Sequence, residues 1–498
     1  MSLRLFNTMS RTVELFAPIE PGRVALYACG PTVYNYAHIG NFRTFLFEDL
    51  LRRWLEASGY DVFFVMNLTD VDDKTIKGAG QAGVPLRQYV ERYITAFHED
   101  RHYLRIGDAS VYSRATDYIA PMIALVQGLL DTGIAYVGDD GSVYFAIARF
   151  PAYGKLSRLD TRELKSGASE RVSTDEYAKE DARDFVLWKA AKPEDEAVGA
   201  VWDAPFGRGR PGWHLECSAM SLSLIKEKWD RDVLDIHAGG VDLIFPHHED
   251  EIAQSCAFTG EERFANVWMH GEFLTLSGTK MSKRYGNILT ARDLKDEGVD
   301  AGTVRLLIFN THYRQPLDWS DESLGHAREG SRRLGEMADR LRRSARPELA
   351  EDPAFAAVAE SFRLDFSAAM DDDLNAPRAL AALFVFGREA NRLLDEGKVP
   401  GAEAVATLEL AEAVLDVFPS GTGRVSVAPR LGGSAAPLAE TLPEAADEQD
   451  AWALAWAERR QEARLNRDFK EADRIRDLVA TAGYEIRDTK QGVEVRRK

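Results

Sequence analysis

Short apolar runs alternate with helix-like segments over the first hundred residues. The runs Val24–Tyr27 and Asp61–Met66 each predict a buried strand, and the segment between them predicts a helix. Strand, helix and strand at this spacing favour a doubly wound parallel sheet. The sheet is predicted to resume over Asp235–Phe245. Before that, residues ~115–205 have a different pattern, with a short strand over Gly141–Ile147 and a charged loop over 160–183, and we interpret them as an insertion.

The last third of the chain has a helical pattern. Three helices are predicted, over Asp321–Arg343, Phe355–Met370 and Ala376–Asp395, and Asn375 followed by Ala376-Pro377 is a good helix start. Residues 419–446 are rich in Pro, Gly, Ala and Ser, which is typical of a linker. The final stretch predicts a helix through Trp452, Trp456 and Arg467, a second helix over Lys470–Ala482 that ends at Gly483, and a short strand.

The composition is that of a soluble globular protein of several domains. The chain has 498 residues, of which 45% are hydrophobic and 29% charged. It contains no apolar run near the ~20 residues that span a bilayer, and residues 1–16 do not have the pattern of a signal peptide. Cys29, Cys217 and Cys256 do not form a disulfide framework. We therefore expect a reducing, cytoplasmic compartment and no membrane partner.

The charge is distributed unevenly along the chain. The formal net charge is −18, which by itself argues against a nucleic-acid partner. Residues 459–498, however, contain 12 Lys/Arg and 8 Asp/Glu, a net charge of +4, so the rest of the chain carries −22. A basic unit at the end of an acidic chain keeps a nucleic-acid partner possible.

The first predicted strand ends in a segment that is typical of an anion site. Cys29 and the turn Gly30-Pro31 follow the strand, and His38-Ile39-Gly40-Asn41 begins the predicted helix. Backbone N–H groups and the positive end of the helix dipole converge at such a point. The second strand ends in the polar loop 67–74, where open parallel sheets bind ligands.

Two further segments carry candidate metal ligands. Gly212-Trp213-His214-Leu215-Glu216-Cys217-Ser218 contains a thiol, and Phe245-Pro246-His247-His248-Glu249-Asp250-Glu251 contains an acid-rich histidine pair. If Pro246 starts a helix, His247 and Glu251 share one face at a metal-ligand spacing. Taken alone, Cys29 and Cys217 are more typical of buried core thiols, and the HxxxE spacing is more typical of a solvated face. Cys256 is interpreted as a core residue.

A fourth segment is basic. Lys280 and Lys283 stand three apart in the Gly/Ser-containing run 277–284. This spacing suits a clamp on phosphate oxygens. A K-x-x-K pair by itself is more typical of an exposed basic loop, but its combination with the distant His38 loop on an α/β sheet favours the clamp.

These motifs resemble those of a known enzyme family. His38-Ile39-Gly40-Asn41 and Lys280-Met281-Ser282-Lys283-Arg284 are similar to the two signature motifs of class I aminoacyl-tRNA synthetases, HIGH and KMSKS. The fuller strings YACGPTVYNYAHIGN, NLTDVDDK, RPGWHLECSAMS and DIHAGGVDLIFPHHEDEIAQS resemble the branch of that family that acts on cysteine. The resemblance is dense from about residue 20 to 320 and continues more thinly to the end of the chain.

The resemblance implies a site for one zinc ion, ATP with Mg²⁺, and L-cysteine. It assigns the zinc to Cys29, Cys217, His247 and Glu251, and the substrate cysteine to Thr69, Trp213 and His237. Zinc would select the thiol of cysteine over the hydroxyl of serine, which packing separates by only ~1–3 kcal/mol. The family positions that approach ATP correspond to Gly30, His38, Asn41, Gly240, Asp242 and Lys283, with His38, Lys280 and Lys283 in catalytic roles.

The implied reaction has two steps. The cysteine carboxylate attacks the α-phosphate of ATP and releases pyrophosphate, and the aminoacyl group then passes to the terminal ribose of tRNA(Cys). Such chemistry depends on positioning and charge stabilisation. His38 is expected to contact phosphate oxygens, and Lys280 and Lys283 to stabilise the leaving pyrophosphate.

The sequence departs from the family pattern at several positions. Asn41 replaces the second histidine of the first signature and can donate a hydrogen bond but not a positive charge. Arg284 replaces the closing serine of the second, and Val493 and Val495 occupy a region where relatives often carry tryptophan. The linker over 419–446 is also longer than expected.

Two competing functions are weighed against this one. A ligase of mycothiol biosynthesis, which joins cysteine to an amino sugar, uses the same catalytic core, but the basic unit at the end of the chain favours tRNA. A non-catalytic tRNA-binding regulator would have broken motifs, yet all four zinc-ligand positions and both lysines are present.

The expected architecture is α/β, a Rossmann-like doubly wound parallel sheet with an inserted connective domain, an α-helical bundle and a small C-terminal anticodon-binding domain. The chain is expected to be a monomer. The catalytic sheet is predicted to be split into a first half, 1–114, and a second half, 206–275, with the inserted connective domain, 115–205, between them. The signature loop with a stem-contact region, 276–325, and the helical bundle, 326–418, are predicted to follow. The linker, 419–446, and the anticodon-binding domain, 447–498, are predicted to complete the order.

Overall fold

The computed structural model describes most of the chain. The described residues are 3–158, 184–280, 288–420, 449, 452–453, 456–457, 460, 469–489 and 492–497. They divide into two compact units, Met1–Pro429 and Arg430–Lys498, and each unit is described by itself. The predicted loop over 160–183, nearly all of the predicted linker 419–446 and Lys283 lie outside the described residues. The seven domain boundaries stay predictions.

The described strands belong to five sheets. In chain order they are β1 Arg4–Asn7, β2 Thr12–Leu15, β3 Arg23–Ala28, β4 Asp61–Leu68, β5 Val111–Arg114, β6 Ala135–Val137, β7 Val143–Phe145, β8 Phe185–Ala190, β9 Gly209–Pro211, β10 Leu234–Gly240, β11 Ala265–Gly271, β12 Leu274–Leu276, β13 Thr279–Lys280, β14 Leu317–Trp319, β15 Tyr484–Thr489 and β16 Gly492–Arg497.

The described α-helices cover the central sheet and form most of the last third of the chain. In chain order they are α1 Ile39–Ala57, α2 Asp73–Ala82, α3 Leu86–Tyr103, α4 Ile119–Asp131, α5 Pro193–Val198, α6 Trp213–Trp229, α7 Glu249–Thr259, α8 Ala291–Asp296, α9 Ala301–Phe309, α10 Asp321–Ser344, α11 Pro353–Met370, α12 Ala376–Asp395, α13 Ala402–Val414 and α14 Phe469–Thr481. Among the described helices, none is long and apolar enough to cross a membrane.

The central sheet has five strands in the order β11-β10-β3-β4-β5, and every neighbouring pair is parallel. Its strands are continuous apolar runs because helices cover both faces; Val24 to Ala28, for example, are at most 1% exposed. The chain proceeds from β3 to β4 on one side and from β10 to β11 on the other. The crevice at the carboxyl ends of β3 and β10 is therefore the switch point where such sheets bind ligands. The predicted α/β fold class is confirmed.

The insertion forms a sheet of its own. Strands β6 to β9 make a four-stranded antiparallel sheet in sequential order. The strand predicted over Gly141–Ile147 is shorter in the structure, Val143–Phe145. Lys189 in β8 and Arg210 in β9 both form salt bridges with Asp73, the first residue of α2. These salt bridges connect the sheet of the insertion to α2.

Of two local predictions near the crevice, one was wrong. The strand predicted over Asp235–Phe245 ends at Gly240, and a short helical segment, Val241–Leu243, follows directly. The condition that a helix starts at Pro246 is met, because the chain is non-helical at Phe245 and the helical turn after it leads directly into α7. His247 and Glu251 therefore lie four apart on successive helical turns.

The helical part of the first unit matches the prediction closely. The side chain of Asn375 accepts a hydrogen bond from the N–H of Arg378, as expected for the start of α12. The helix α13 was not predicted individually. Glu351, 50 residues upstream, caps it by accepting hydrogen bonds from the N–H groups of Gly401 and Glu403.

The second unit contains a helix and a hairpin. The predicted second helix is α14, and the predicted short strand is a pair of antiparallel strands, β15 and β16. Its core is formed by buried aromatic and aliphatic side chains, Trp452, Trp456, Ile475, Val479 and Tyr484. Arg467, in the predicted first helix, lies outside the described residues.

A buried ion cluster joins α1 to later parts of the first unit. Asp49 contacts Arg53 at 2.7 Å, Arg52 at 3.0 Å and Arg305, which is fully buried, at 3.1 Å. Burial raises the pKa of Asp49, but the three guanidinium groups outweigh it and hold the pKa well below its usual range. Arg305 also donates to the carbonyl of Leu415 at the end of α13. The Asp49 carboxylate on α1 therefore compensates the buried charge of Arg305 on α9, and Arg305 in turn contacts the end of α13.

We expect Asp49→Asn to destabilise the first unit by about 3–5 kcal/mol, because Arg305 would keep its buried charge without a counter-charge. Urea unfolding followed by tryptophan fluorescence measures the loss as a lower midpoint. The matched control is Glu56→Gln, which removes only the half-exposed partner of Arg52 and should change stability by about 0.5 kcal/mol or less.

The ion pair between Asp49 and Arg305 also predicts how stability depends on pH. Because the folded-state pKa of Asp49 is depressed, its contribution is complete above the unfolded-state value of about 4 and is lost as the pH falls below it. The difference in stability between wild type and Asp49→Asn should therefore be constant from pH 8 to about 5 and shrink in acid. A difference that grows in acid would contradict this assignment.

Candidate metal centre and nucleotide loop

All four predicted zinc ligands lie together at the carboxyl ends of β3 and β10. Cys29 follows β3 directly, Cys217 lies in the second turn of α6, and His247 and Glu251 lie on either side of the start of α7. The sulfur atoms of Cys29 and Cys217 are 3.8 Å apart, and His247 Nε2 is 2.9 Å from Glu251 Oε1. All four side chains are buried, and their ligand atoms lie within 4.8 Å of one another.

The spacing of these atoms fits a tetrahedral metal centre. Zinc binds cysteine sulfur at about 2.3 Å, and tetrahedral angles then place two sulfurs about 3.8 Å apart. The two sulfurs of the site are at this distance without further movement. Two thiols, an imidazole and a carboxylate are donors that a borderline-soft divalent cation accepts.

A second group of candidate ligands overlaps the first. Cys29 and Glu251 also lie within 4.8 Å of His237 and His248. His248 Nε2 is 3.3 Å from the Cys29 sulfur, and His237 Nε2 is 2.8 Å from Glu251 Oε2. Both groups therefore contain Cys29 and Glu251. The first group adds Cys217 and His247, and the second adds His237 and His248.

The charges of the site favour a cation. Burial raises the pKa of Cys217, but the Cys29 thiol and His247 outweigh burial and lower the pKa to about 6. Burial also raises the pKa of Glu251, which His237 and His247 lower to about 2. Burial raises the pKa of Cys29 well above its usual value. Burial lowers the pKa of His247, but Glu251 and Cys217 outweigh burial and raise that pKa to about 10. The Glu251 carboxylate and the Cys217 thiolate are therefore balanced by a protonated His247, and a bound cation would take the place of that proton.

Two of the predicted substrate residues contact this centre, and the third, Thr69, lies beside the turn that follows Cys29. His237 lies in β10 and bonds Glu251, and Trp213 stacks on the His247 ring with centroids 4.3 Å apart. Trp213 is 38% exposed, so its indole lies at the mouth of the site. Thr69 is buried and accepts a hydrogen bond from the Asn67 amide at 3.1 Å.

Gly30 permits a close approach of β4 to the segment after Cys29. Its N–H donates to Asn67 Oδ1 at 2.8 Å, and a Cβ at this position would lie 1.9 Å from the Asn67 carbonyl oxygen. The backbone of Thr69 bonds that of Pro31 and Val33 in the same place. Any side chain at position 30 would push the Thr69 loop away from Cys29.

The helix start at His38 is a reciprocal cap. His38 Nδ1 accepts from the N–H of Asn41 at 3.2 Å, and Asn41 Oδ1 accepts from the N–H of His38 at 3.1 Å. Because Nδ1 accepts, the proton of the neutral imidazole is on Nε2, which is a donor. The side chain of Asn41, the departure from the family signature, therefore holds the backbone of His38, while the backbone N–H of the same residue holds the His38 ring.

Residues that follow the second signature segment adjoin the first signature segment. Lys280 is the last residue of β13, and the residues just after the undescribed segment 281–287 return to α1, where Ile39 N–H donates to Leu289 O at 2.8 Å. Asp318 supports the preceding hairpin by accepting from the N–H of Gly278 at 2.7 Å. The side chains of Lys280 and Lys283 lie outside the described residues.

Comparison with known proteins identifies the family. The family model described as "tRNA synthetases class I (C) catalytic domain" matches residues 15–329, and the one described as "DALR domain" matches residues 365–418. The protein named cysteine--tRNA ligase of Chlamydia pneumoniae is 44% identical over 497 residues, covering 99% of this chain and 98% of the relative. The protein of that name from Protochlamydia amoebophila is 43% identical over 496 residues, covering 100% and 98%.

The chain belongs to the cysteine–tRNA ligase family of class I synthetases. It is therefore an enzyme. Among solved structures, methionyl-tRNA synthetase of Mycobacterium tuberculosis in complex with methionyl-adenylate superposes with a TM-score of 0.59 at 16% identity. That match covers 87% of this chain and 96% of the other, and shows that the two share a fold.

This member of the cysteine–tRNA ligase family surrounds its candidate metal centre with histidines that the sequence analysis did not single out. His214 Nδ1 is 2.9 Å from His247 Nδ1, and its Nε2 is 3.4 Å from Asp250. His248 Nδ1 is 2.8 Å from His270 Nε2. The adjacent pair His247-His248 was a visible signal, but only the fold shows which neighbours the two rings face.

Gly240 and Asp242, both predicted to approach ATP, lie close together at the carboxyl end of β10. A Cβ on Gly240 would lie 2.6 Å from Asp242 Oδ1, so a side chain at position 240 would displace that carboxylate. Asp242 itself is exposed and lies two residues beyond the end of β10. The roles of both residues toward ATP stay predictions.

We expect Asn41→Ala to destabilise the first unit by about 1 kcal/mol, because the N–H of His38 loses its acceptor at the helix start. Asn41→Gln is the matched control, since glutamine at this helix position can also reach back to that N–H. Urea unfolding of the three proteins checks this, and equal losses in both variants would contradict the capping role.

Proposed function

We propose that the enzyme activates L-cysteine with ATP and transfers it to tRNA(Cys), and that it selects the thiol through one bound zinc ion. The observation that carries the proposal is the buried set Cys29, Cys217, His247 and Glu251, whose sulfurs are already at the spacing of a tetrahedral zinc centre. Membership in the cysteine–tRNA ligase family over the full chain supports the substrates.

Zinc, when bound, supplies a soft acceptor that binds the thiolate of the substrate and competes poorly for a serine hydroxyl. The protein supplies the geometry around it. Glu251 is held by His237 through one oxygen and faces His247 with the other, so the carboxylate cannot rotate away. Trp213, stacked on His247, confines the small side chain from the solvent side.

We prefer the ligand set that contains Cys217 and His247 to the alternative set with His237 and His248. It offers two sulfur donors instead of one, which zinc favours. It also leaves His237 and His248 as partners that orient the ligands from behind, a role that metal centres commonly require. His270 fixes the ring of His248 in that role.

Activation is expected to join the metal centre to the His38 loop. A carboxylate oxygen of cysteine attacks the α-phosphorus of ATP, and the bond to the bridging oxygen breaks to release pyrophosphate. His38, whose Nε2 is the donor of its ring, would donate to a phosphate oxygen. Gly30, Asn41, Gly240 and Asp242 would border the nucleotide, Lys280 and Lys283 would neutralise the leaving pyrophosphate, and Mg²⁺ would accompany ATP.

Transfer completes the reaction. A hydroxyl of the terminal ribose attacks the carbonyl carbon of the adenylate, and AMP leaves. The full-length agreement with relatives named cysteine--tRNA ligase, and the match of residues 365–418 to the DALR domain, favour tRNA over an amino sugar as the acceptor. Charging of tRNA(Cys) by the purified chain, measured beside charging of another tRNA, tests this step.

We expect Cys217→Ser to lose the zinc ion and to raise the KM for cysteine in ATP–pyrophosphate exchange on the order of 100-fold. Metal content per chain after gel filtration and the exchange rates with cysteine and with serine measure both effects. Cys256→Ser is the matched control because Cys256 is also buried but belongs to neither ligand group.

The same variant separates the two ligand sets. Cys217 belongs to one set and not to the other, so retention of one zinc per folded chain in Cys217→Ser would refute the preferred set. In that case His248→Gln, and not His247→Gln, should release the metal.

A further inference from the structure

An aromatic and cationic surface borders the His38 loop. It consists of Tyr36, which precedes His38 by two residues, Arg92 and Tyr93 on α3, and Arg292 on α8. We call these four residues the mouth patch. None of them has a role in the activation chemistry proposed above.

The rings and guanidinium groups of the mouth patch are ordered by one another. Tyr36 and Tyr93 pack edge to face with centroids 5.4 Å apart and an angle of 80°. Arg292 lies over Tyr36 at 5.0 Å, and Arg92 lies over Tyr93 at 4.4 Å. Tyr93 is buried, whereas Tyr36 is 47% exposed, so one aromatic ring is held in place with nearly half of its surface in solvent.

The orientation of Arg292 is fixed independently. Its guanidinium contacts Glu99 at 2.6 Å and Asp100 at 3.2 Å, both on α3. Arg92 donates to the Tyr93 hydroxyl at 2.7 Å and stays exposed. A single exposed aromatic ring is common on protein surfaces. The exposed ring of Tyr36 is held by the Tyr93 ring and by the Arg292 guanidinium, and such a pre-ordered ring is a stacking platform.

The mouth patch lies beside the backbone pairing of His38 with Thr290. Tyr36 is at most about 7 Å of extended chain from His38. Arg292 follows Thr290 by two residues, and the backbone of Thr290 pairs with that of His38. The patch thus borders the His38 loop from the side of α3 and α8, whereas the candidate metal centre lies at the end of β3 and β10.

We propose that the mouth patch binds the unpaired 3′ end of the tRNA, with a base stacked on Tyr36 and with Arg92 beside the phosphates. This inference rests on the proposed function. The terminal ribose must reach the carbonyl that is activated beside His38, so the nucleotides that precede it have to cross the surface around the loop. Unpaired bases are recognised by stacking on aromatic side chains and by nearby arginines.

The test compares Tyr36→Leu with Tyr36→Phe, which keeps the ring and removes the hydroxyl. On each preparation, ATP–pyrophosphate exchange is measured without tRNA, and charging is measured with a tRNA(Cys) transcript. Loss of one stacked base predicts that Tyr36→Leu loses on the order of 10-fold in kcat/KM for tRNA relative to its exchange rate. Tyr36→Phe should lose less than threefold by the same ratio. Leu15→Ala, a similarly exposed apolar position in β2, is the control for unspecific surface effects.

A binding measurement decides the partner. The Kd of each protein is determined for the full transcript and for one shortened by its unpaired 3′ nucleotides. Wild type should bind the full transcript more tightly than the shortened one, and Tyr36→Leu should lose most of this difference. Equal losses of exchange and charging in Tyr36→Leu would overturn the inference and assign Tyr36 to the activation step. Equal binding of the two transcripts by wild type would also overturn it.

Failure of the proposed function has a different signature. If the wild-type protein did not charge tRNA(Cys), the function would be wrong, and the comparison of the two transcripts would still decide whether the mouth patch binds an unpaired RNA end.

Discussion

A fully buried carboxylate must be compensated from every side, and Glu251 imposes this requirement on the centre of the molecule. One of its oxygens faces His247 at 2.9 Å, and the other bonds His237 at 2.8 Å. A buried charge without such partners would cost several kcal/mol. The strand that carries His237 and the turn that carries His247 therefore have to meet at the start of α7. Cys29 at the end of β3 and Cys217 in α6 lie at the same place. Compensation of the Glu251 charge therefore fixes the positions of β10 and of the turn before α7 next to β3 and α6.

The sequence predicted the elements better than it predicted their ends. Apolar runs located β3 and β4 because both faces of these strands are buried, and Asn375 marked the start of α12 through its own side chain. The start of α13 carried no comparable signal, since its cap is Glu351, 50 residues away. The end of β10 was missed for a similar reason. Val241 to Phe245 are mostly apolar and resemble a strand, but their packing is decided by neighbours in the fold.

The residues of the candidate site were also predicted better than the contacts among them. Cys29 and Cys217 are 188 residues apart, and no local spacing connects them; only the family resemblance did so. The structure brings all four proposed ligands together and adds His248 as a competitor and His214 and His270 as neighbours. Which ring contacts which depends on the register of β10 against β3 and on the turn before α7. Neither is encoded in a short motif.

The distance between the two sulfur atoms has a chemical consequence for handling the protein. Two thiols 3.8 Å apart, one of them with a lowered pKa, are well placed to react with each other when an oxidant is present. A cation shared between the sulfurs would engage the electron pairs that such a reaction needs. With zinc bound as proposed, loss of the metal would precede oxidation of the two thiols, and treatment with a chelator should be followed by inactivation in air that a reductant prevents.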